Sequence, residues 1–75
     1  MARTLEEYMA LPYTMEIIPD DGAWFVRIKE LPGCMTEVDE WVEILPMIED
    51  AKRLWIGLAL DRGRPVPEPV EAPAR

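Results

Sequence analysis

Apolar and polar residues alternate along the first half of this chain and follow a helical spacing along the second half. Residues 13–18 and 23–29 alternate with a period of two, the pattern of β-strands with one buried face. The apolar positions are Tyr13, Met15 and Ile17 in the first run and Trp24, Val26 and Ile28 in the second. Between them, Pro19-Asp20-Asp21-Gly22 predicts a turn, because Pro presets φ, Asp bonds locally and Gly accepts positive φ. The two runs therefore predict a β-hairpin.

A second turn is predicted at Leu31-Pro32-Gly33, after which the chain returns from Cys34 to Val38 as a third strand. Cys34 is predicted to be buried, because it stands at the start of a strand and not in a solvated loop. Three short strands cannot bury their inner face by themselves. Another element must therefore cover the sheet.

The covering element is a helix predicted from Glu40 to Leu60, with Asp39 as its N-cap. At about 100° per residue, the side facing the sheet comprises Trp41, Ile44, Leu45, Ile48, Ala51, Trp55, Leu58 and Ala59. Met47, Leu54 and Ile56 widen this apolar arc, whereas Glu43, Glu49, Asp50 and Arg53 lie opposite. The preferred interpretation of Pro46 is a kink within this helix, and the alternative is a helix that starts at Pro46.

Shorter segments flank this core. Thr4-Leu5-Glu6-Glu7 fits a capping box and predicts a short helix over Leu5 to Ala10, which must end before Pro12. Gly63 is predicted to end the long helix in a left-handed conformation. We therefore divide the chain into a helical N-terminal segment (1–12), a β-β-β-α domain (13–63) and a Pro-rich extended tail (64–75).

Composition narrows the functional classes. The chain of 75 residues has 15 Asp and Glu against 8 Lys and Arg, so its formal charge of −7 disfavours nucleic-acid binding and favours a basic protein partner. A single Cys, no signal-peptide pattern and no long apolar stretch predict a soluble, cytoplasmic protein without a membrane partner. Hydrophobic residues reach 49%, more than so small a domain can bury, which predicts a homo-oligomer, most simply a two-fold dimer.

The chain offers few residues for catalysis. It has no His and no glycine-rich phosphate loop, and Cys34 is interpreted as a core residue and not as a nucleophile. Glu16 together with Glu49 or Asp50 could hold a divalent cation, but the helix carboxylates are predicted to point away from the sheet. Trp24, Trp41 and Trp55 are interpreted as core or interface anchors. We predict no enzyme, no cofactor and no metal; a residual metal-dependent nuclease is the least favoured hypothesis.

The ordered motifs resemble those of one known family. The stretch YTMEIIPDDGAWFVRIKELPGCMTEVDEW, followed by a helix that ends in Gly and a Pro-x-Pro segment, resembles the N-terminal domain of HicB-like antitoxins over about residues 13–69. The most specific part is LPGC at this distance after the Asp-Asp-Gly turn. The residues that carry the resemblance, all interpreted as structural, are Tyr13, Asp21, Gly22, Trp24, Leu31, Pro32, Gly33, Cys34, Trp55 and Gly63.

This resemblance implies a truncated ribonuclease-H-like fold, β-β-β-α with or without a short fourth strand from the tail. It also implies a non-catalytic role, in which the protein binds and occludes a small basic HicA-type ribonuclease toxin. For such a partner, Asp20, Asp21 and Glu30 are the predicted contacts. Full-length antitoxins continue into a DNA-binding domain, so we do not expect this chain to bind an operator. The alternative hypothesis is a stand-alone oligomeric structural or regulatory protein with no toxin partner.

Overall fold

A computed structural model of the chain describes residues 3–69. Its elements are α1 (Leu5–Met9), β1 (Met15–Asp20), β2 (Ala23–Ile28), β3 (Met35–Val38), a short 3-10 turn (Trp41–Glu43) and α2 (Ile44–Asp61). The strands form one antiparallel sheet in the order β1-β2-β3, and α2 packs on β2 and β3. The prediction of an α+β fold, a three-stranded antiparallel meander covered by one long helix, is confirmed.

The face of the sheet toward α2 holds the core. Val26 stands at its centre, between Ile17 on β1 and Thr36 on β3, and is fully buried. Ile28 is also buried, and Trp24 packs against this cluster, as the alternating pattern predicts. The first strand begins later than predicted, so Tyr13 precedes it and Met15, at its end, remains partly exposed.

The β1–β2 turn is tighter than the four residues predicted from sequence. Strand β1 continues through Pro19, so only Asp21 and Gly22 connect Asp20 to Ala23. Both connecting residues have positive φ, 51° and 88°, as a type I′ turn requires. Asp therefore supplies a left-handed residue here, and Pro19 is tolerated because β1 is an edge strand.

The start of the long helix differs from the preferred prediction. Helix α2 begins at Ile44 and not at Glu40, and Pro46 is its third residue. Because the first-turn N–H groups of a helix have no intrahelical partner, Pro46 removes no bond and causes no internal kink. The alternative prediction, a helix that starts at Pro46, misses the observed start by two residues, whereas the preferred start at Glu40 misses it by four. Asp39 is not the N-cap; the preceding 3-10 turn is capped at Glu40, whose N–H donates to the Glu43 carboxylate at 3.2 Å.

The buried side of α2 is also rotated from the predicted one. Its buried residues are Ile44, Ile48, Lys52, Ile56 and Ala59. Three residues predicted to face the sheet are largely exposed, namely Trp41 (58%), Leu45 (56%) and Leu58 (45%). The rotation accounts for Leu58 alone, since Trp41 precedes α2 and Leu45 stands between Lys52 and Ile56 on the helical wheel. Two further elements add to the covering of the core, since α1 packs on α2 and Val66 of the tail is buried in the core cluster. Sequence periodicity could not show that the helix has neighbours besides the sheet.

The predicted start of α1 and the predicted end of α2 are both present. Thr4 and Glu7 form the capping box of α1, with N···O distances of 2.8 and 3.2 Å, although the helix ends at Met9. At the end of α2, Gly63 has a φ of 67°, and the N–H of Arg64 donates to the carbonyl of Ala59 at 2.8 Å. This is a Schellman motif. Residues 64–69 have no regular secondary structure and form no fourth strand; the tail beyond them lies outside the described residues.

Candidate partner-binding surfaces

The LPGC motif builds a turn that joins the sheet to the helix. The N–H of Cys34 donates to the carbonyl of Leu31 at 2.9 Å, with Pro32 and a positive-φ Gly33 between them, the features of a type II turn. Trp55 of α2 donates its indole N–H to the Pro32 carbonyl at 2.8 Å. The turn and the Trp therefore form one structural unit, in which the exposed backbone of the motif is bound by the helix.

The two apolar residues of this motif belong to the core. Leu31 is fully buried, and Cys34 is buried as predicted. Burial raises the pKa of the Cys34 thiol, against a weaker opposite effect from the charge of Lys52. A buried thiol with a raised pKa is a poor nucleophile. Leu31 and Cys34 thus account for the apolar character of this turn without a catalytic role.

The three predicted partner contacts do not lie together. Asp20 and Asp21 are exposed at the tip of the β1–β2 hairpin. Glu30 lies beyond the opposite end of the β1–β2 pairing, which is six residues long. At the rise per residue of a strand, this separates Glu30 from the tip by roughly 20 Å. The Glu30 carboxylate accepts from the Thr14 N–H at 2.9 Å and from its hydroxyl at 2.7 Å. Glu30 therefore joins the two chain segments at the open end of the hairpin.

The pKa of Glu30 reflects this position. Partial burial by itself raises the pKa, but the hydrogen bonds from Thr14, together with the Glu30 backbone and the charge of Lys29, outweigh this effect and hold it below the ordinary value. The carboxylate is consequently ionised and already occupied by two donors. Asp20 and Asp21, at the exposed tip, make no side-chain ion pair within residues 3–69.

The burial of one lysine, Lys52, was not predicted from the sequence. Lys52 lies on the core side of α2, where its ammonium contacts the Met9 carbonyl at 3.4 Å and the Glu49 carboxylate at 3.1 Å. It also lies 5.8 Å from the centre of the Tyr13 ring. The spacing could have revealed it, since Lys52 is four residues from both Ile48 and Ile56.

Tyr13 connects the N-terminal region to the tail. Its hydroxyl donates to the Pro67 carbonyl at 2.6 Å, and burial raises the pKa of Tyr13 to about 12. Arg3 and Glu68 form a neighbouring exposed ion pair at 2.8 Å. The conspicuous Tyr before the first strand is therefore a contact for the Pro-rich segment.

The remaining aromatic residues lie at the edge of the core. Trp24 and Trp41 pack edge to face, with ring centroids 4.8 Å apart and an interplanar angle of 75°. Trp24 packs against the core, whereas Trp41 remains exposed. The contact between the two rings therefore attaches the segment between β3 and α2 to the sheet.

The outer face of the sheet, opposite α2, carries an exposed apolar patch. Ile18 pairs with Phe25 across the β1–β2 ladder, and Met35 lies on the neighbouring strand beside Arg27. Ile18 and Met35 are exposed, and Phe25 is half-buried. Arg27 forms an ion pair with Glu16 on this same face. We call Ile18, Phe25 and Met35 the outer sheet patch.

The carboxylates considered for a cation are held apart. Glu16 is paired with Arg27 on the face of the sheet away from α2, whereas Glu49 is bonded to Lys52. Within residues 3–69, no group of three or more Cys, Asp or Glu side chains is placed to hold a metal ion. In the same part of the chain, no helix combines the length and apolar character needed to cross a membrane.

These features define a small α+β protein whose motif residues build the scaffold. A sequence profile described as "HicB_like antitoxin of bacterial toxin-antitoxin system" matches residues 12–74. The chain belongs to this family, which confirms the resemblance seen in its motifs and indicates a role in a toxin–antitoxin system.

One solved structure supports the same overall fold. The crystal structure of TTHA0281 from Thermus thermophilus superposes with a TM-score of 0.61 at 28% sequence identity. The similarity covers 93% of this chain and 90% of that one. A search of curated protein sequences finds no significant match. The truncated ribonuclease-H-like character implied by the family stays a prediction.

Proposed function

We propose that this protein is a non-catalytic module that binds and occludes a small basic HicA-type ribonuclease toxin in the cytoplasm. The observation that carries the proposal is the family match over residues 12–74. The formal charge of −7 supports it, because an acidic surface attracts a basic partner and discourages competition for RNA.

The positions of the reactive residues support a non-catalytic role. Cys34 is buried, Glu16 is paired with Arg27, and Glu49 is bonded to Lys52. General acid–base or metal-assisted hydrolysis needs such groups to converge on one reacting atom. The protein would instead inhibit a nuclease by covering it.

Among the proposed acidic contacts, the structure favours the hairpin tip. Asp20 and Asp21 are exposed, and neither is paired with a Lys or Arg side chain within the described residues. Glu30, in contrast, already accepts hydrogen bonds from Thr14. Asp20 and Asp21 would steer a basic partner, and Glu30 would act only by holding the hairpin together.

Co-expression with a HicA-type toxin tests the function. The open reading frame next to this gene, if it encodes a small basic His-containing protein, is the toxin to use. We expect restored growth, co-purification of the two proteins and inhibition of RNA cleavage in vitro. A toxin that remains active and unbound in the presence of excess folded protein would contradict the proposal.

We further propose that the protein is a two-fold dimer closed through the outer sheet patch. The patch exposes apolar side chains, and the charges beside it on the same face are of both signs, with Arg27 between Glu16 and Glu37, so two copies can approach there. Sedimentation equilibrium should give a dimer, and Ile18→Ser should give a monomer, while Val42→Ser serves as an exposed apolar control. A dimer that binds no toxin would favour the alternative function, a structural or regulatory oligomer.

A further inference from the structure

A second apolar surface runs along the side of α2 that neither the sheet nor α1 covers. It consists of the exposed Met47, Leu54 and Leu58 and the half-buried Ala51, which also packs against the core; they are spaced by four, three and four residues, and we call them the α2 seam. Leu54 is 65% exposed, and Met47 and Leu58 are each nearly half exposed. This spacing is the 3-4 repeat with which one helix packs along another. The seam thus has the pattern of a helix–helix contact but no helix on it within residues 3–69.

Gly57 lies beside the seam and has no explanation within the fold. Gly is a poor residue for a helix interior, and the backbone of Gly57 does not require it because its φ is not positive. A Cβ at this position would meet no atom within 4 Å. Since neither conformation nor internal packing requires Gly57, its missing side chain fits the close approach of an outside partner.

The charges along one edge of the seam are acidic. Asp50 and Asp61 lie on the same side of α2 as Gly57, at spacings of seven and four residues, and neither forms an ion pair within residues 3–69. Arg53, farther round the helix, is paired with Glu6. Arg62 and Arg64 lie at the C-terminal end of the seam, where they line a groove of about 460 Å³ together with Leu58.

These charges decide between two kinds of occupant. A second copy would bring its own Asp50 and Asp61 against the same pair, and like charges across an interface disfavour association. A helix with Lys or Arg on its flanks would find complementary charge along the same line. We propose that the α2 seam docks an amphipathic helix of a basic protein, with apolar side chains at a 3-4 spacing against Leu54 and basic side chains opposite Asp50 and Asp61.

The surface next to the seam provides room for an anchoring side chain. A groove of about 200 Å³ separates the seam from the LPGC turn and from the start of β3, and Met35, Trp55 and Leu58 are among the residues that line it. Because Trp55 is held by its hydrogen bond to Pro32, one wall of this groove is rigid. Grooves bounded by a fixed aromatic residue are favourable places for apolar anchors.

This inference rests on the proposed function and deepens it, because it places the toxin on α2 and not only at the hairpin tip. The hairpin tip would then contribute to the rate of encounter, whereas the seam would supply most of the affinity. The two contributions can be separated because apolar contacts are insensitive to salt and steering charges are not.

The first test uses synthetic helical peptides of about 20 residues and the intact protein. One peptide has Leu at the 3-4 positions and Lys on the flanks; a second has Glu on the flanks; a third keeps Lys and replaces the Leu residues by Ser. Anisotropy titrations should show binding of the first peptide, at least about tenfold tighter than either control. Equal binding of the first and third peptides would overturn the proposal, because charge alone would then explain it.

Variants of the protein locate the site. Leu54→Ser should weaken the first peptide about tenfold, whereas Leu45→Ser, at another exposed leucine of α2, should not. Replacing Asp50 and Asp61 by Asn should weaken binding more than the same change at Asp20 and Asp21. Gly57→Ala should raise Tm yet weaken binding. Each of these differences supports the seam, and loss of the contrast between Leu54→Ser and Leu45→Ser would overturn it.

Two further results separate this inference from the proposed function. If a HicA-type toxin is neutralised equally by wild type and by Leu54→Ser, the toxin-binding function stands and the seam assignment is wrong. If no toxin is neutralised while the peptide contrasts hold, the seam binds a basic helix of another protein and the proposed function fails. If Leu54→Ser converts a dimer to a monomer, the seam belongs to a second copy and the proposal is overturned.

Discussion

The two apolar sides of α2 carry different side chains and have different surroundings. The core side uses Ile44, Ile48 and Ile56, which are all buried. The seam uses Met47 and Leu54, whose side chains are exposed. Isoleucine is stiff at χ1 and suits a fixed packing, whereas Met and Leu adapt to a partner more readily. One helix can therefore stabilise the fold with one side and remain available for binding with the other.

The largest expected contrast is between two truncations on these two sides. Ile56→Ala should lower the free energy of unfolding by about 2–5 kcal/mol, because a fully buried side chain is removed and a cavity remains. Leu54→Ala should change it by no more than about 0.5 kcal/mol, as for an ordinary surface substitution. Urea unfolding measures both values. A comparable loss in Leu54→Ala would show that the seam is covered in the isolated protein.

Trp55 lies between the two sides and tests how the helix holds the LPGC turn. Trp55→Phe removes the donor to the Pro32 carbonyl and should cost about 1–2 kcal/mol. The effect should be smaller than that of Ile56→Ala, because the ring body is mostly retained. The thermal unfolding midpoint gives the comparison, with Trp41→Phe as a control at an exposed Trp that donates no hydrogen bond within the described residues.

Tyr13, which packs near Lys52 on the core side, should give stability a pH dependence. Its pKa is raised to about 12, above the ordinary value of 10, so the fold favours the neutral phenol. The contribution is complete below about pH 10 and is lost as the pH rises toward 12. Tyr13→Phe should cost about 1 kcal/mol at neutral pH and should flatten this alkaline loss. Urea midpoints measured between neutral and alkaline pH test this. If Tyr13 were not involved, the midpoints of wild type and of Tyr13→Phe would fall in parallel as the pH rises.

The smallest expected effect is a gain in stability at the border of the seam. Gly57→Ala should raise the free energy of unfolding by about 0.5–1 kcal/mol, because Ala favours a helix and its Cβ meets open space. Circular dichroism melting measures it. A loss of stability would mean that the side chain of a neighbour occupies this space.

Local sequence patterns identified the three strands, the positions of both turns, the start of α1 and the end of α2, although they misplaced the start of α2. Alternation identified Val26 and Ile28 as core residues, and Leu31-Pro32-Gly33-Cys34 predicted a turn because Pro and Gly restrict backbone conformation in a known way. The capping box at Thr4 and the helix end at Gly63 depend on residues within a few positions of each other. Interactions between residues so close in sequence can be predicted from the order of the residues alone.

The candidate binding surfaces were less accessible to the same reasoning. The predicted acidic contacts Asp20 and Glu30 are alike in charge but lie at opposite ends of a ladder. The helical wheel identified a wide apolar arc, yet it assigned Leu58 to the core and left Ile56 at its margin. An amphipathic pattern reports that a side is apolar without reporting which neighbour covers it.

By itself, the sequence determined the element order, the alternating faces, the tight turns, the acidic charge and the family motifs, because each depends on local chemistry or composition. Only the tertiary structure decided which part of α2 is buried. Helix α1 packs on α2 where Lys52 contacts Met9, and the tail residue Val66, from the other end of the chain, is buried in the same core as Ile56. That covering leaves the α2 seam exposed, and contacts between such distant segments are set by the packing of the whole chain.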